Sequence, residues 1–282
     1  MPQKPLICPY CQNRITDNGS SSYTCELNHS FDLSKEGYLN LLPVHQKNSK
    51  SPGDNEMMIS ARRSFLELGF YEPLIDSLKT ILQDDLAFNN KPFVALDAGC
   101  GEGYYSDKVL NKIAGNGSHI LGTDISKYAI KNAAKKYKNN FYFVSSVYHL
   151  PVATESVDVL LSVFAPVDSV EFQRVLSKNG VVVVVSPGQN HLKELAELIY
   201  DTFKPHENNV VELMTPSLNH LFTKQTTFNI HITSKETLMI LLKMTPYYWS
   251  ANEEKLEKVA LCNDLNITCD FNIAVFKHIK TN

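Results

Sequence analysis

The run Phe93-Val94-Ala95-Leu96 followed by Asp97-Ala98-Gly99-Cys100-Gly101-Glu102-Gly103 constrains this chain more than any other stretch. A strand-length apolar run enters a glycine-rich turn, and Tyr104 to Ile113 beyond it has helical character. Strand, glycine turn and helix together form the nucleotide-binding corner of a doubly wound α/β fold. Two cofactors compete for such a corner. Dinucleotide sites space their glycines as G-x-G-x-x-G, whereas here the third glycine arrives one residue early. Asp97 also stands two residues before the first glycine, where a carboxylate repels pyrophosphate and attracts the ammonium of a methionine moiety. The corner therefore points to S-adenosylmethionine.

A second apolar run, His119-Ile120-Leu121-Gly122-Thr123, closes on Asp124. A carboxylate at the end of the second strand can accept hydrogen bonds from both ribose hydroxyls; Asp124 also suits a cap ahead of Ser126. Further strands are predicted over Phe141 to Ser145, Val157 to Phe164 and Val181 to Ser186, with helices over Ser169 to Leu176 and His191 to Phe203. Alternating strands and helices imply a largely parallel sheet, with binding groups at its carboxyl edge. The candidate cofactor-binding residues are Asp97, Gly99, Gly101, Gly103, Tyr104, Asp124, Ser145 and Ser146. Phe164, in the turn Phe164-Ala165-Pro166, is placed either to stack on a target base or to pack in the core.

At the other end, Cys8-Pro9-Tyr10-Cys11 and Cys25-Glu26-Leu27-Asn28-His29 give the spacing C-x2-C-x13-C-x3-H. Each close pair can clasp one side of a tetrahedral zinc, and Asp17-Asn18-Gly19 can reverse the chain between them. So short a segment lacks a sufficient core, and metal binding supplies the missing stability. Four side-chain ligands leave no open position, so Cys8, Cys11, Cys25 and His29 are expected to form a structural and not a catalytic site. Cys100, Cys262 and Cys269 lack such clustering.

With 282 residues and 43% apolar content, the chain is long enough for one large domain and an appendage. A formal charge of −3 argues against wholesale coating of a polyanion, so any RNA contact must be local. No apolar run approaches a membrane span, and Met-Pro-Gln-Lys-Pro lacks the apolar core of a signal peptide, so a cytoplasmic location is expected. The stretch Pro43 to Asp54 is rich in breakers and reads as a linker. Helices follow from Asp54 to about Gly69 and over Tyr71 to Leu86. Arg62 and Arg63, with Lys47 and Lys50, are candidates for RNA phosphates or for a salt-bridged helix face. The same choice applies to the stripe Lys127, Lys131, Lys135 and Lys138.

Taken together, the chain resembles the RlmA family of 23S rRNA (guanine-N1)-methyltransferases. The resemblance is carried by Cys8-Pro9-Tyr10-Cys11, His29-Ser30-Phe31-Asp32, Lys35 to Pro43, Pro52-Gly53-Asp54, Ala61-Arg62-Arg63, Leu96 to Tyr105, Phe164-Ala165-Pro166 and Met244-Thr245-Pro246. It implies an α/β, class I S-adenosylmethionine-dependent methyltransferase fold: a Rossmann-like seven-stranded sheet whose last strand, near Cys269 to Phe276, is reversed. It further implies a homodimer, zinc ligation by Cys8, Cys11, Cys25 and His29, and cofactor binding by Asp97, Gly99, Gly101 and Asp124. The substrate it implies is a guanine in a hairpin of domain II of 23S rRNA. No catalytic base carries over; His149 and Asp168 fall outside the matching stretches.

The expected organisation is a zinc module over residues 1–43, a linker and helical segment over 44–90 and a methyltransferase domain over 91–282. Two rival functions remain: a small-molecule methyltransferase with a structural zinc module, and a non-catalytic zinc-dependent RNA-binding protein. The intact turn and Asp124 weigh against the second, and the zinc module weighs against the first.

Overall fold

The structure, a computed structural model, describes residues 4–46, 53–88 and 91–279. Lys47, Lys50 and Pro52, singled out in the sequence, lie outside the described residues. Strands β1 (Ile15–Asp17), β2 (Ser22–Cys25) and β3 (Ser30–Asp32) form a small antiparallel sheet. Its first turn comes where Asp17-Asn18-Gly19 suggested, with Ile15 opposite Cys25.

The main sheet contains β4 (Tyr38–Asn40), β5 (Val94–Ala98), β6 (His119–Asp124), β7 (Phe141–Val144), β8 (Val157–Val163), β9 (Leu176–Pro187), β10 (Leu218–Ile232) and β11 (Leu265–His278). Its order is β10-β11-β9-β8-β5-β6-β7-β4. Strands β4 to β9 pair in parallel, whereas β11 runs antiparallel to both its neighbours. Seven strands make the expected Rossmann-like sheet with its reversed last strand, and β4 adds an eighth at the edge.

Strand order turns back between β5 and β8, so the loops leaving their carboxyl ends diverge to opposite sides. That switch point is where doubly wound sheets bind ligands. Here it brings the glycine turn against Phe164-Ala165-Pro166.

The helices are α1 (Glu56–Glu67), α2 (Glu72–Thr80), α3 (Asn111–Ile113), α4 (Lys127–Lys136), α5 (Ser169–Val175), α6 (Lys193–Ile199), α7 (Val210–Met214), α8 (Lys235–Lys243), α9 (Tyr247–Ser250) and α10 (Glu253–Leu261). The Asn55 side chain caps α1 by accepting from the Met58 amide, and its buried face is Ile59, Ala61, Phe65 and Leu66. Beyond it Gly69 sits at φ +80°, the left-handed turn that ends the helix. Helix α2 widens at its end into a π turn, Ile81–Asp85.

Alternation along the strands divides the core into two layers. Ala95, Val159, Leu161, Val183 and Phe271 face α1, α2 and α8; Leu96, Leu121, Phe143, Leu160 and Val182 face the other way. Ile15, Tyr23 and Phe31 of the N-terminal sheet, with Leu6 ahead of it, belong to the second layer, so that sheet is docked on the large domain. The Ile7 amide donates to the Pro151 carbonyl and the Ala153 amide to the Pro5 carbonyl, fastening the two backbones at 3.0 and 2.8 Å.

Candidate metal and cofactor sites

Two turns of similar construction hold the N-terminal cluster. In the first, the Cys8 amide donates to the Asn13 carbonyl and the Gln12 amide to the Cys8 carbonyl. In the second, the Cys25 amide donates to the His29 carbonyl and the Asn28 amide to the Cys25 carbonyl. Gln12 and Asn28 take left-handed conformations at φ +61° and +60°, which turns each close pair inward. Cys8 Sγ lies 3.5 Å from His29 Nδ1, Cys11 Sγ lies 3.6 Å from Cys25 Sγ, and Cys25 Sγ lies 3.4 Å from His29 Nδ1. A tetrahedron with metal–sulfur bonds of about 2.3 Å and metal–nitrogen bonds of about 2.0 Å has edges of roughly 3.5–3.8 Å. All four ligand atoms lie within 4.8 Å of one another, so donor set and spacing fit a closed zinc site.

In the glycine turn the three glycines meet different surroundings. A Cβ built on Gly99 would stand 2.2 Å from Ala165 Cβ, and one on Gly103 would stand 2.5 Å from the Tyr142 hydroxyl. Both glycines thus permit close packing within the protein. Gly101, at φ +54°, faces open space, its nearest neighbour being Arg62 Nη1 at 4.0 Å from the built Cβ. It is the position at which a ligand can reach the backbone.

Asp97 is 1% exposed. Its Oδ2 accepts from Ser106 Oγ at 2.5 Å, while Oδ1 has no partner. Burial, reinforced by the nearby Asp124 charge, pushes Asp97 up to about 7 against the lowering effect of Ser106. An orphaned acceptor inside the corner fits the ammonium of a methionine moiety. Asp124 accepts from the Ser126 amide at 2.8 Å on one oxygen and from the Gly101 amide at 3.0 Å on the other. Those bonds aim the carboxylate and leave lone pairs for a ribose. Burial raises the Asp124 carboxyl, and the two amides oppose the shift.

The remaining cofactor-binding candidates, Ser145, Ser146 and Tyr104, are buried. Ser145 is hydrogen-bonded through its hydroxyl to Thr123 Oγ1 at 2.7 Å, locking the ends of β6 and β7 together. Ser146 Oγ accepts from the Tyr148 amide. Tyr104 is 2% exposed and packs edge-on against Tyr105 in the core. Asp168 caps α5 by accepting from the Glu171 amide, and His149 is exposed.

Arg62 and Arg63 both have acidic partners. Arg62 Nη1 donates to Asp54 Oδ2, while Arg63 Nε lies 3.3 Å from Glu67 and 3.7 Å from Glu102. On α4, Lys131 pairs with Glu36 at 3.7 Å and Lys127 and Lys135 are exposed. Glu102 was not singled out in the sequence, yet it is 1% exposed with neither carboxylate oxygen hydrogen-bonded. Burial pushes it up to about 7, with Lys136 and Arg63 pulling the other way. The sequence signal for it was slight: an acidic residue between two glycines that the fold closes over.

Comparison with known proteins agrees with this geometry. A zinc-ribbon family model described as "RlmA, N-terminal" matches residues 6–50, and a methyltransferase-domain model matches residues 89–249. A Bacillus subtilis (strain 168) protein provisionally named 23S rRNA (guanine-N(1)-)-methyltransferase is 30% identical over 273 residues, 95% of each chain. A Micromonospora griseorubida protein of the same provisional name is 30% identical over 97% of each chain. The 23S rRNA (guanine(748)-N(1))-methyltransferase of Streptomyces fradiae is 27% identical over 90% of this chain and 89% of its own.

Proposed function

The chain belongs to the family of RlmA-like methyltransferases, and on that premise we propose that it methylates guanine N1 in 23S rRNA, within a hairpin of domain II. The observation that carries this reading is the state of Phe164. It sits at φ +54°, where a bulky side chain is strained, and it is 43% exposed although it directly follows a core strand. His191 stacks against one side of its ring, 5.7 Å between centroids, and Phe271 backs it. The cofactor corner touches the same turn at Ala165. An aromatic ring held out beside that corner is a platform for an extruded base.

S-Adenosylmethionine, when bound, supplies an electrophilic methyl group on a sulfonium. The residues we assign to holding it are Asp97, Asp124 and the Gly99 to Gly103 turn, with Gly103 and Tyr104 supporting the turn and Ser145 and Ser146 shaping its far wall. Transfer is an in-line displacement in which the N1–methyl bond forms as the sulfur–methyl bond breaks and the N1 proton passes to a neighbouring acceptor or water, so the protein's main task is orientation: the base on Phe164 must present N1 along the line set by the cofactor corner. N1 lies on the pairing edge, which requires the guanine to be unpaired or extruded. Cys8, Cys11, Cys25 and His29 hold zinc in a closed site, which leaves the ribbon to recognise RNA.

Among the described residues no helix is long and apolar enough to cross a membrane; the substrate places the enzyme in the cytoplasm. A homodimer, with the ribbons flanking an RNA cleft, completes the reading. Primer extension on rRNA from a deletion strain tests it, because N1-methylguanine stops the polymerase. A stop at the same guanine with and without the gene, or transfer to a small metabolite in place of rRNA, defeats the proposal.

A further inference from the structure

The segment from Gly53 through α1 is not merely a connector. A Cβ on Gly53 would meet Ile125 Cγ2 at 2.9 Å and Ser126 Cβ at 3.1 Å, and Ser126 Oγ donates to the Asp54 carbonyl at 3.1 Å. The segment is therefore seated on the loop that follows Asp124, at the carboxyl edge of the sheet. From there α1 carries Arg62 across the glycine turn, with Nη1 4.0 Å from a Cβ built on Gly101. Gly101 is the one glycine of the turn that faces open space.

The charges around this position are unbalanced. Asp97, Asp124, Glu102 and Asp54 surround the turn, and Asp97 Oδ1 has no donor. Three cations are at hand. Arg63 lies against Glu67 and Glu102, and Lys136 against Glu67. Arg62 pairs with Asp54, with both side chains about 30% exposed, and among the described residues this is one bond from a guanidinium that carries five donors. A methionine moiety is a zwitterion: its ammonium needs an acceptor and its carboxylate a donor. Guanidinium is the cation suited to gripping a carboxylate with two parallel bonds.

We propose that Arg62, supplied by the helical segment ahead of the methyltransferase domain, binds the carboxylate of the cofactor's methionine moiety, with Asp54 steering it from the other side. The proposal rests on the S-adenosylmethionine reading above. It assigns Arg62 to the cofactor and not to RNA phosphate, and makes α1 part of the cofactor site.

The test measures binding, by calorimetry on the full-length protein, of two ligands that differ in the amino-acid end. S-Adenosylhomocysteine carries that end, whereas 5′-methylthioadenosine lacks both its ammonium and its carboxylate. Arg62→Gln is expected to weaken S-adenosylhomocysteine by about 20-fold or more, the loss expected for a charge-assisted pair, and to leave methylthioadenosine within about twofold. Retained methylthioadenosine binding also shows that the variant is folded. Equal weakening of both ligands would overturn the proposal in favour of a structural role, and no change in either would return Arg62 to the surface. If the wild-type protein binds neither ligand, the cofactor reading fails first and the proposal with it.

Discussion

Gly99 and Ala165 lie so close that a Cβ on the glycine would stand 2.2 Å from that of the alanine. This contact joins the turn after β5 to the turn after β8, the two turns that the proposed function assigns to cofactor and target base. Gly99, at φ +80°, also takes a conformation that side chains avoid. Gly99→Ala is expected to cost about 2–4 kcal/mol from overlap and backbone strain together. Gly101→Ala faces open space and is expected to cost only about 1–2 kcal/mol, yet to weaken S-adenosylhomocysteine at least about tenfold by filling the ligand's approach. Denaturant unfolding and calorimetry on the two variants separate the effects. Equal loss of stability in both would refute the division of roles.

Binding of S-adenosylmethionine should strengthen as pH rises toward neutrality. Asp97 is pushed up to about 7 by burial, so below that pH it is protonated and cannot attract an ammonium. Affinity is therefore expected to rise by about tenfold from pH 6 to pH 8 and to level off above. The stability of the free protein should move the opposite way: a raised carboxyl favours the folded state at acid pH, and that contribution is lost as pH climbs from about 4 through about 7. Glu102, also pushed up to about 7, adds to the stability slope. Asp97→Asn should abolish the pH dependence of binding, whereas Glu102→Gln should flatten only the stability curve. A binding slope that survives in Asp97→Asn would assign it elsewhere.

The parts of the fold that the sequence made legible are those where period and chemistry coincide. The buried parallel strands read as continuous apolar runs, and the cysteine spacing demanded a hairpin. β10 was not read because its apolar face, Phe222, Phe228, Ile230 and Ile232, is broken by Lys224 and Thr226, and as an edge strand it is defined by pairing along β11. β9 begins at Leu176, five residues before the apolar run that announced it, and α6 is shorter than the helical pattern over His191 to Phe203. At the site, Asp97, Gly101 and Asp124 stand out by position. The burial of Glu102 and the seating of Arg62 over Gly101 depend on how α1 crosses the turn, which no local pattern encodes. Tyr38–Asn40, ahead of the linker, pairs with β7, and Leu39 and Leu41 are buried. Cutting the chain at residue 43 would therefore strip the sheet edge, so point variants are the sounder probe of the ribbon.

Cys25→Ala removes the thiolate shared by two of the closest contacts in the cluster, Cys11 Sγ at 3.6 Å and His29 Nδ1 at 3.4 Å. The variant is expected to lose its zinc, as measured on purified protein, and amides of residues 15–32 should exchange several-fold faster with solvent. The sheet's central strands β5 and β8, remote from the metal, should keep their protection. Full zinc occupancy in the variant would refute the ligand assignment.

Recognition of RNA and binding of cofactor should separate at Tyr10. Its ring is 57% exposed between Cys8 and Cys11, 5.3 Å from the His29 ring and stacked on Phe31 at 6.2 Å between centroids. An aromatic so exposed contributes little to the core, but it offers an unpaired base a stacking surface worth about 1–3 kcal/mol. Tyr10→Ala is thus expected to retain zinc, to bind S-adenosylhomocysteine within about twofold of wild type, and to lower kcat/KM on an unmodified rRNA hairpin by roughly 5- to 150-fold, the range those energies convert to. Tyr10→Phe should recover most of that activity, since stacking needs the ring and not the hydroxyl. The three measurements are metal content, calorimetry and methyl transfer located by nuclease digestion and mass spectrometry. Unchanged transfer in Tyr10→Ala would remove this face of the ribbon from RNA recognition. Lost cofactor affinity would show instead that the ribbon acts through the sheet on which it is docked.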